Sequence, residues 1–357
     1  MMDFSLTDDR RMLADTLTRW LADEYPIEHR NSVAYDAPYH DAKKWADMTE
    51  LGAVLALAEE RVGGFGGSGF DIAVVFEALG RALCPEPVLG ALLASRLLAH
   101  AGADQEGLLD GSVRYAVAVS EPDAPYDTES LSCTATAAGD GYALSGRKTC
   151  VYGGNDADVF LIAARVNGAL GVFSVQANDA SVVAYGMMDG GGAAELLLDA
   201  TPATLFIENA EAAVEAAENA GIVALCAEAV GAMSVVHDTT LDYLRTRKQF
   251  GVPIAKFQVL QHRAVDMLTE IEQARSIVIK AASELDRPEA TRFASMAKHL
   301  IGRAARLVAE EAIQMHGGIA MTWEYPISHY AKRLVMLDAQ LGDTDEHLAR
   351  LSAGYSA

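Results

Sequence analysis

The chain has 357 residues, 51% of them hydrophobic, and a formal net charge of −22. A chain this long and this apolar buries more than one core and is not intrinsically disordered. So acidic a balance argues against nucleic acid or an anionic membrane as a partner, because both call for clustered lysine and arginine.

The opening stretch, Met1 to Asp9, lacks a basic n-region, and no apolar run is expected to reach the ~18 residues of a membrane span. The expectation is a soluble, cytoplasmic protein with no membrane partner. Cys84, Cys133, Cys150 and Cys226 are scattered, without a CxxC pair or a histidine at ligand spacing. They are read as four reduced packing residues, with no disulfide framework and no metal ligands.

From Thr7 to about Gly111 apolar residues recur at helical spacing, as in Met12, Leu13, Leu17, Trp20 and Leu21, and Thr7 with Asp8 and Asp9 is a helix-start signal. From about Val113 to Phe206 the pattern becomes short alternating runs. Leu131, Cys133, Ala135 and Ala137 alternate with Ser132, Thr134 and Thr136, and further runs at 142–151, 159–166 and 170–175 read as antiparallel strands. Helical periodicity then returns: a stripe from Ile222 to Leu244 over roughly six turns, stopped by Gly251 and Pro253, then 257–285, 290–315 and a last pattern from about His329 to Leu351. The predicted fold is α+β, mostly α: an N-terminal helical domain (1–112), a middle antiparallel β domain (113–208) and a C-terminal four-helix bundle (209–357).

Gly64-Phe-Gly66-Gly-Ser-Gly69 matches the GxGxxG pattern of a dinucleotide fold. The match stands inside a helical zone, no βαβ alternation follows, and a glycine turn between helices is the preferred reading. Two other blocks carry more. Arg247-Lys-Gln-Phe-Gly-Val-Pro-Ile254 closes one long helical pattern, with a cation suited to a pyrophosphate and a ring suited to an adenine. Gln314-Met-His-Gly-Gly318 closes another, and its glycines allow close backbone approach to a ligand. By residue type alone, the preferred reading is structural: Arg247 as a solvated helix-end charge and Gly317-Gly318 as a C-cap.

In combination these blocks, with Phe257-Gln258 and the continuation to Pro326, resemble the acyl-CoA dehydrogenases over essentially the whole chain. That resemblance implies the three-part architecture just described and a dimer of dimers with FAD as cofactor. It further implies that Arg247, Gln249, Phe250, Phe257, Gln258, Gln314, Gly317 and Gly318 grip the ADP portion of a flavin whose ring sits in the neighbouring subunit. The family's reaction removes the α-proton of a CoA thioester with a glutamate while the β-hydrogen leaves as hydride to the flavin.

The resemblance fails where the chemistry would be. The glutamate expected in a Glu-Gly-Thr context falls on Leu341-Gly342-Asp343, and the alternative position used by a minority of members falls on Gly221. Thr-Glu-Pro-x-x-Gly-Ser-Asp, which meets flavin and CoA, is here Ser120-Glu-Pro-Asp-Ala-Pro-Tyr-Asp127. Cys150 stands where a tryptophan usually shields the flavin, and Ala320 replaces a glycine. No catalytic residue is therefore assigned. The chain is most similar to the small subunit of a heteromeric acyl-CoA dehydrogenase such as pimeloyl-CoA dehydrogenase, with similar pairs acting on steroid side chains. The partners then implied are a larger catalytic subunit, as heterodimer or α2β2 heterotetramer, an acyl-CoA and an electron-transfer flavoprotein, in lipid degradation. Three alternatives stay open: a self-sufficient homotetramer using Asp338, Asp343 or Glu346 as base, a flavin monooxygenase of the same fold, and a structural subunit without flavin contact.

Overall fold

The computed structural model describes residues 6–355. Six helices come first: α1 (Asp8–Glu24), α2 (Ile27–Ala34), α3 (Ala42–Glu50), α4 (Gly69–Ala82), α5 (Val88–Ala101) and α6 (Glu106–Leu109). Seven strands follow: β1 (Tyr115–Ala118), β2 (Thr134–Ala138), β3 (Gly141–Tyr152), β4 (Val159–Val166), β5 (Ala169–Gln176), β6 (Ser181–Gly186) and β7 (Gly192–Ile207). The remainder comprises α7 (Glu211–Thr246), the hairpin strands β8 (Lys248–Gln249) and β9 (Val252–Pro253), α8 (Gln258–Glu284), α9 (Ala290–His316), α10 (Pro326–Asp338) and α11 (Thr344–Tyr355). The chain parts into two compact units, which divide the N-terminal helices between them.

One unit holds His29–Ser68 and Pro85–Gly221, with the sheet at its centre. The strands run β1-β4-β2-β3-β7-β5, with β6 on β7, and β4 also pairs with β5, so the sheet closes on itself. Pairing is mostly antiparallel, but β1 and β2 lie parallel to β4, which an alternation pattern alone does not reveal. Along β4 one set of side chains, Phe160, Ile162 and Ala164, joins an inner core with Cys133, Leu144, Phe173 and Leu196. The other set, Leu161 and Ala163, packs with Leu93 and Leu97 of α5 and with Ala213, Val214 and Ala217 of α7. Both faces are covered, which is why β4 is apolar without a break from Val159 to Ala164. The 64–68 stretch is a loop leading into α4, with Gly66 and Gly67 at positive φ, and follows a short 3₁₀ segment, Glu60–Val62. Among the described residues no strand precedes it, so the dinucleotide pattern has no structural context.

The other unit gathers α1, α4 and the chain from Ile222 onward. Thr7 caps α1 by accepting from the Arg10 amide at 3.4 Å, as its sequence signal predicts. Helices α4 and α7 cross backbone to backbone: a Cβ on Gly80 would strike the Glu228 carbonyl, and one on Gly231 would strike that of Glu77. The two carboxylates flanking the crossing are held in turn, Glu77 by Arg275 of α8 at 2.7 Å and Glu228 by Arg333 of α10 at 2.6 and 2.8 Å.

Three expectations about length change. Helix α7 has 36 residues rather than six turns, because Ala213, Val214 and Ala217 extend its buried face ahead of Ile222 through a stretch interrupted by glutamates. That helix is also long and apolar enough to cross a membrane by length and composition, against the expectation of no such run. Its apolar window is 89% buried inside the protein, as in a core helix. The last helical pattern is two helices, not one, since Leu341 and Gly342 both take positive φ and break it.

Candidate functional site

The Arg247 block begins as α7 ends. The Arg247 amide donates to Tyr243 O at 2.8 Å, its carbonyl accepts from Ile254, and between them β8 and β9 form a hairpin turning on Phe250 and Gly251. Both turn residues have positive φ, +52° and +81°. Such a turn matches the twist of paired strands, but a bulky aromatic in the left-handed region is uncommon and marks a position held for a reason. The Phe250 ring is 91% exposed and meets Phe257 edge to face at 6.2 Å. Gln258 opens α8 beside it.

The second block lies at the same end of this unit. Tyr243 donates to His316 O at 3.2 Å and its ring lies 4.5 Å from the His316 imidazole, so the end of α7 meets the end of α9. Gln314 is exposed on the last turn of α9, and Gly317, at φ +67°, and Gly318 have open space where a Cβ would stand. All eight residues singled out from the sequence, Arg247, Gln249, Phe250, Phe257, Gln258, Gln314, Gly317 and Gly318, are exposed. Arg247 forms no ion pair with any described residue. An uncommitted guanidinium, an exposed ring, free amides and open glycines suit the anionic and aromatic parts of a dinucleotide.

The loop at 338–347 is held in shape by buried side chains of α9 and α11. Lys298, 1% exposed, reaches from α9 to donate to Asp338 O at 2.7 Å and Gly342 O at 2.5 Å. His347, fully buried, donates through Nε2 to Leu341 O at 3.0 Å and accepts at Nδ1 from Ser295 at 3.1 Å, a tautomer assigned from these partners. Burial pushes its pKa down to about 4. Leu341 is thus held at φ +56° with a side chain that accepts no proton.

The three neighbouring carboxylates are engaged. Asp338 accepts from the Thr344 amide and hydroxyl at 3.1 and 2.7 Å, Asp343 caps α11 by accepting from the Asp345 and Glu346 amides at 3.0 and 2.8 Å, and Glu346 pairs with Arg350 at 2.8 Å. Gly221 is buried within α7. Sequence reasoning missed Lys298 and His347. The signal was a lysine standing in the apolar stripe of α9 between Ala294, Ala297 and Ile301.

In the β unit the Ser120–Asp127 segment folds on itself. The Glu121 and Ala124 amides are spent on each other's carbonyls, Ser120 Oγ donates to Pro125 O at 2.9 Å, and Ser120 O accepts from Thr149. The Glu121 carboxylate accepts from Lys148 at 2.8 Å, from Ser132 N and Oγ at 2.7 and 2.6 Å and from Cys133 N at 3.0 Å. Burial raises its pKa, but these donors outweigh burial and hold it below the usual carboxylate value. Cys150 sits on a bulge of β3 at φ +49° and is exposed, a correction to its reading as a packing residue; Cys84 is half-buried. Beside Cys150, Tyr185 Oη lies 3.7 Å from its sulfur and 3.3 Å from Glu195, which also takes Thr149 Oγ1 at 2.6 Å and Arg147 at 2.9 Å.

The models of the acyl-CoA dehydrogenase N-terminal, middle and C-terminal domains match residues 7–106, 116–196 and 212–354. Acyl-CoA dehydrogenase IpdE2 of Mycobacterium tuberculosis is 31% identical over 331 residues, covering 91% of both chains. The chain belongs to the acyl-CoA dehydrogenase family.

Among solved structures, one chain of the Tcur3481-Tcur3483 steroid ACAD G363A variant is 27% identical with a TM-score of 0.90, covering 98% of this chain and 99% of that one. A chain of the ChsE4-ChsE5 complex from Mycobacterium tuberculosis superposes with a TM-score of 0.91 at 23% identity and 99% coverage of both, a likeness of fold. As an acyl-CoA dehydrogenase relative the chain is an oxidoreductase of the class acting on CH–CH bonds, with FAD as cofactor.

Proposed function

We propose that this chain is the small subunit of a heteromeric acyl-CoA dehydrogenase, completing the FAD site of a larger catalytic partner rather than removing the substrate's proton itself. The observation that carries the reading is the contrast between its two functional ends. Leu341 stands at the position of the base, with Asp338, Asp343 and Glu346 all committed to caps or an ion pair, while Arg247 and its neighbours are uncommitted and exposed.

In this reading Arg247 pairs with the pyrophosphate, Phe250 and Phe257 lie against the adenine, and Gly317 and Gly318 allow the backbone to approach. FAD, when bound, accepts the β-hydrogen as hydride. The carboxylate that takes the α-proton belongs to the partner. The chain's own ring side is weak, because the Glu121 and Ala124 amides are already paired and a cysteine replaces the shielding ring. An electron-transfer flavoprotein then reoxidises the flavin. The steroid enzyme at 27% identity favours a bulky steroid-derived thioester over a pimeloyl one.

The test is turnover with a panel of steroid and straight-chain acyl-CoA thioesters and a dye acceptor, on the isolated chain and on the complex. The isolated chain is expected to be inactive and the complex active. Normal turnover by the homogeneous chain alone sinks the proposal.

A further inference from the structure

Residues 29–41 lie across the β unit and are tied down along their length. Arg30, 2% exposed, donates to the Asp189 carbonyl, and its guanidinium sits 5.1 Å over the Tyr35 ring. Gly191 donates to Ala34 O at 2.9 Å, Asn155 Nδ2 donates to Pro38 O at 2.6 Å, and Tyr39 fills the space beside Gly186 where a Cβ would stand. The far end is held differently. The His40 side chain, 4% exposed, has Nε2 2.7 Å from Asp156 Oδ2 and Nδ1 3.3 Å from Glu86 Oε2, with the Glu86 side chain fully buried.

A neutral imidazole has one N–H and one lone pair, so between two carboxylates one of its nitrogens faces an acceptor unpaired. Only the imidazolium donates to both. The other charges around it come from each packed segment: Arg114 at the start of β1 bonds Asp156 and lies 3.4 Å from His40 Nε2, and its amide reaches Asp158 at 2.8 Å. Glu86 also accepts from the Asp41 amide at 2.9 Å, and Asp41 lies 3.4 Å from His29. One protonated ring therefore joins the strap, the loop before α5 and the short 3₁₀ segment before β4.

We propose that residues 29–41 are a pH-sensitive strap on the β unit, fastened by the His40 imidazolium between Glu86 and Asp156 and loosened when that ring loses its proton. Burial, the largest single influence, pulls the His40 pKa down, but the adjoining Glu86 and Asp156 carboxylates outweigh it and raise the ring above its ordinary value. The sign follows. The clamp is complete below the unfolded value and is lost as pH rises through the raised folded value. Loosening would free the Asp41 amide first, since Glu86 holds it, and then the Pro38 carbonyl contact.

The test is hydrogen exchange of the full chain in its assembly at about pH 6 and about pH 9, corrected for intrinsic rates, following residues 35–41 against the β4 amides. In the wild type, protection of 35–41 is expected to fall roughly tenfold between the two while β4 is unchanged. His40→Gln should show low protection at both values and no step. Asp156→Asn removes the half-exposed partner and should move the step to lower pH even if His40→Gln folds poorly. A flat wild-type profile, a step that persists in His40→Gln, or a step left at the wild-type pH in Asp156→Asn overturns the proposal.

Discussion

His347 is buried without charge, donating to Leu341 and accepting from Ser295. Its folded pKa, about 4, lies below the ordinary 6.5, so the unfolded chain takes up the proton first as pH falls. Stability is full above about pH 6.5 and is lost down to about pH 4, by about 3 kcal/mol over that window. Urea unfolding against pH measures this, and His347→Gln should flatten the acid limb. Lys148 makes a second test, since its ammonium and Glu121 are buried together: Lys148→Met strands the carboxylate and should cost about 3–5 kcal/mol. At the nucleotide end, Arg247→Ala should weaken FAD retention by the complex about 10–100-fold, the worth of one charge-assisted contact. Retention unchanged would favour a structural subunit. That residue 341 is a leucine is read from the sequence directly, and its place in the reaction belongs to the proposal. That Asp338 and Asp343 are engaged was not legible there, because their partners, the Thr344 hydroxyl and two helix-start amides, depend on a break between α10 and α11 that periodicity does not mark.

The crossing of α4 on α7 is an element held by what it lacks. Gly80 and Gly231 each face the other helix's carbonyl, so Gly231→Val should force the helices apart and cost about 1–3 kcal/mol, read as a lower melting temperature with the same fold by circular dichroism. Strands β3, β4 and β5 were readable to within a residue or so, because short runs rich in strand-forming residues were bounded by glycine turns. The parallel pairing of β1 and β2 with β4 was not, since strand direction is decided by long-range connection rather than local pattern. Helix α7 was read short for a related reason. Its first turns present small residues to α5 and the sheet, and alanines beside glutamates give a weak stripe.

At the scale of the molecule, the bundle unit exposes several large apolar side chains close together. Phe250, Val259, Ile319, Met321 and Trp323 stand out at the end that bears Arg247, and Val265 and Leu268 of α8 line a groove of about 700 Å³ with Ile277 and Leu300. Surfaces of this kind mark subunit contacts. Leu268→Glu should therefore reduce assembly, seen as a lower native mass at unchanged secondary structure. The fold was legible over the whole chain because motif order and element order agree. The proposed partner rests on a contrast within the sequence, an exposed Arg247 block beside a leucine at 341.

The most direct measurement is the native mass and flavin content of the tagged chain purified from its own host. A mixed assembly with a larger subunit and fewer FAD than chains is the predicted result. A homotetramer of this chain alone with one FAD per chain would contradict it.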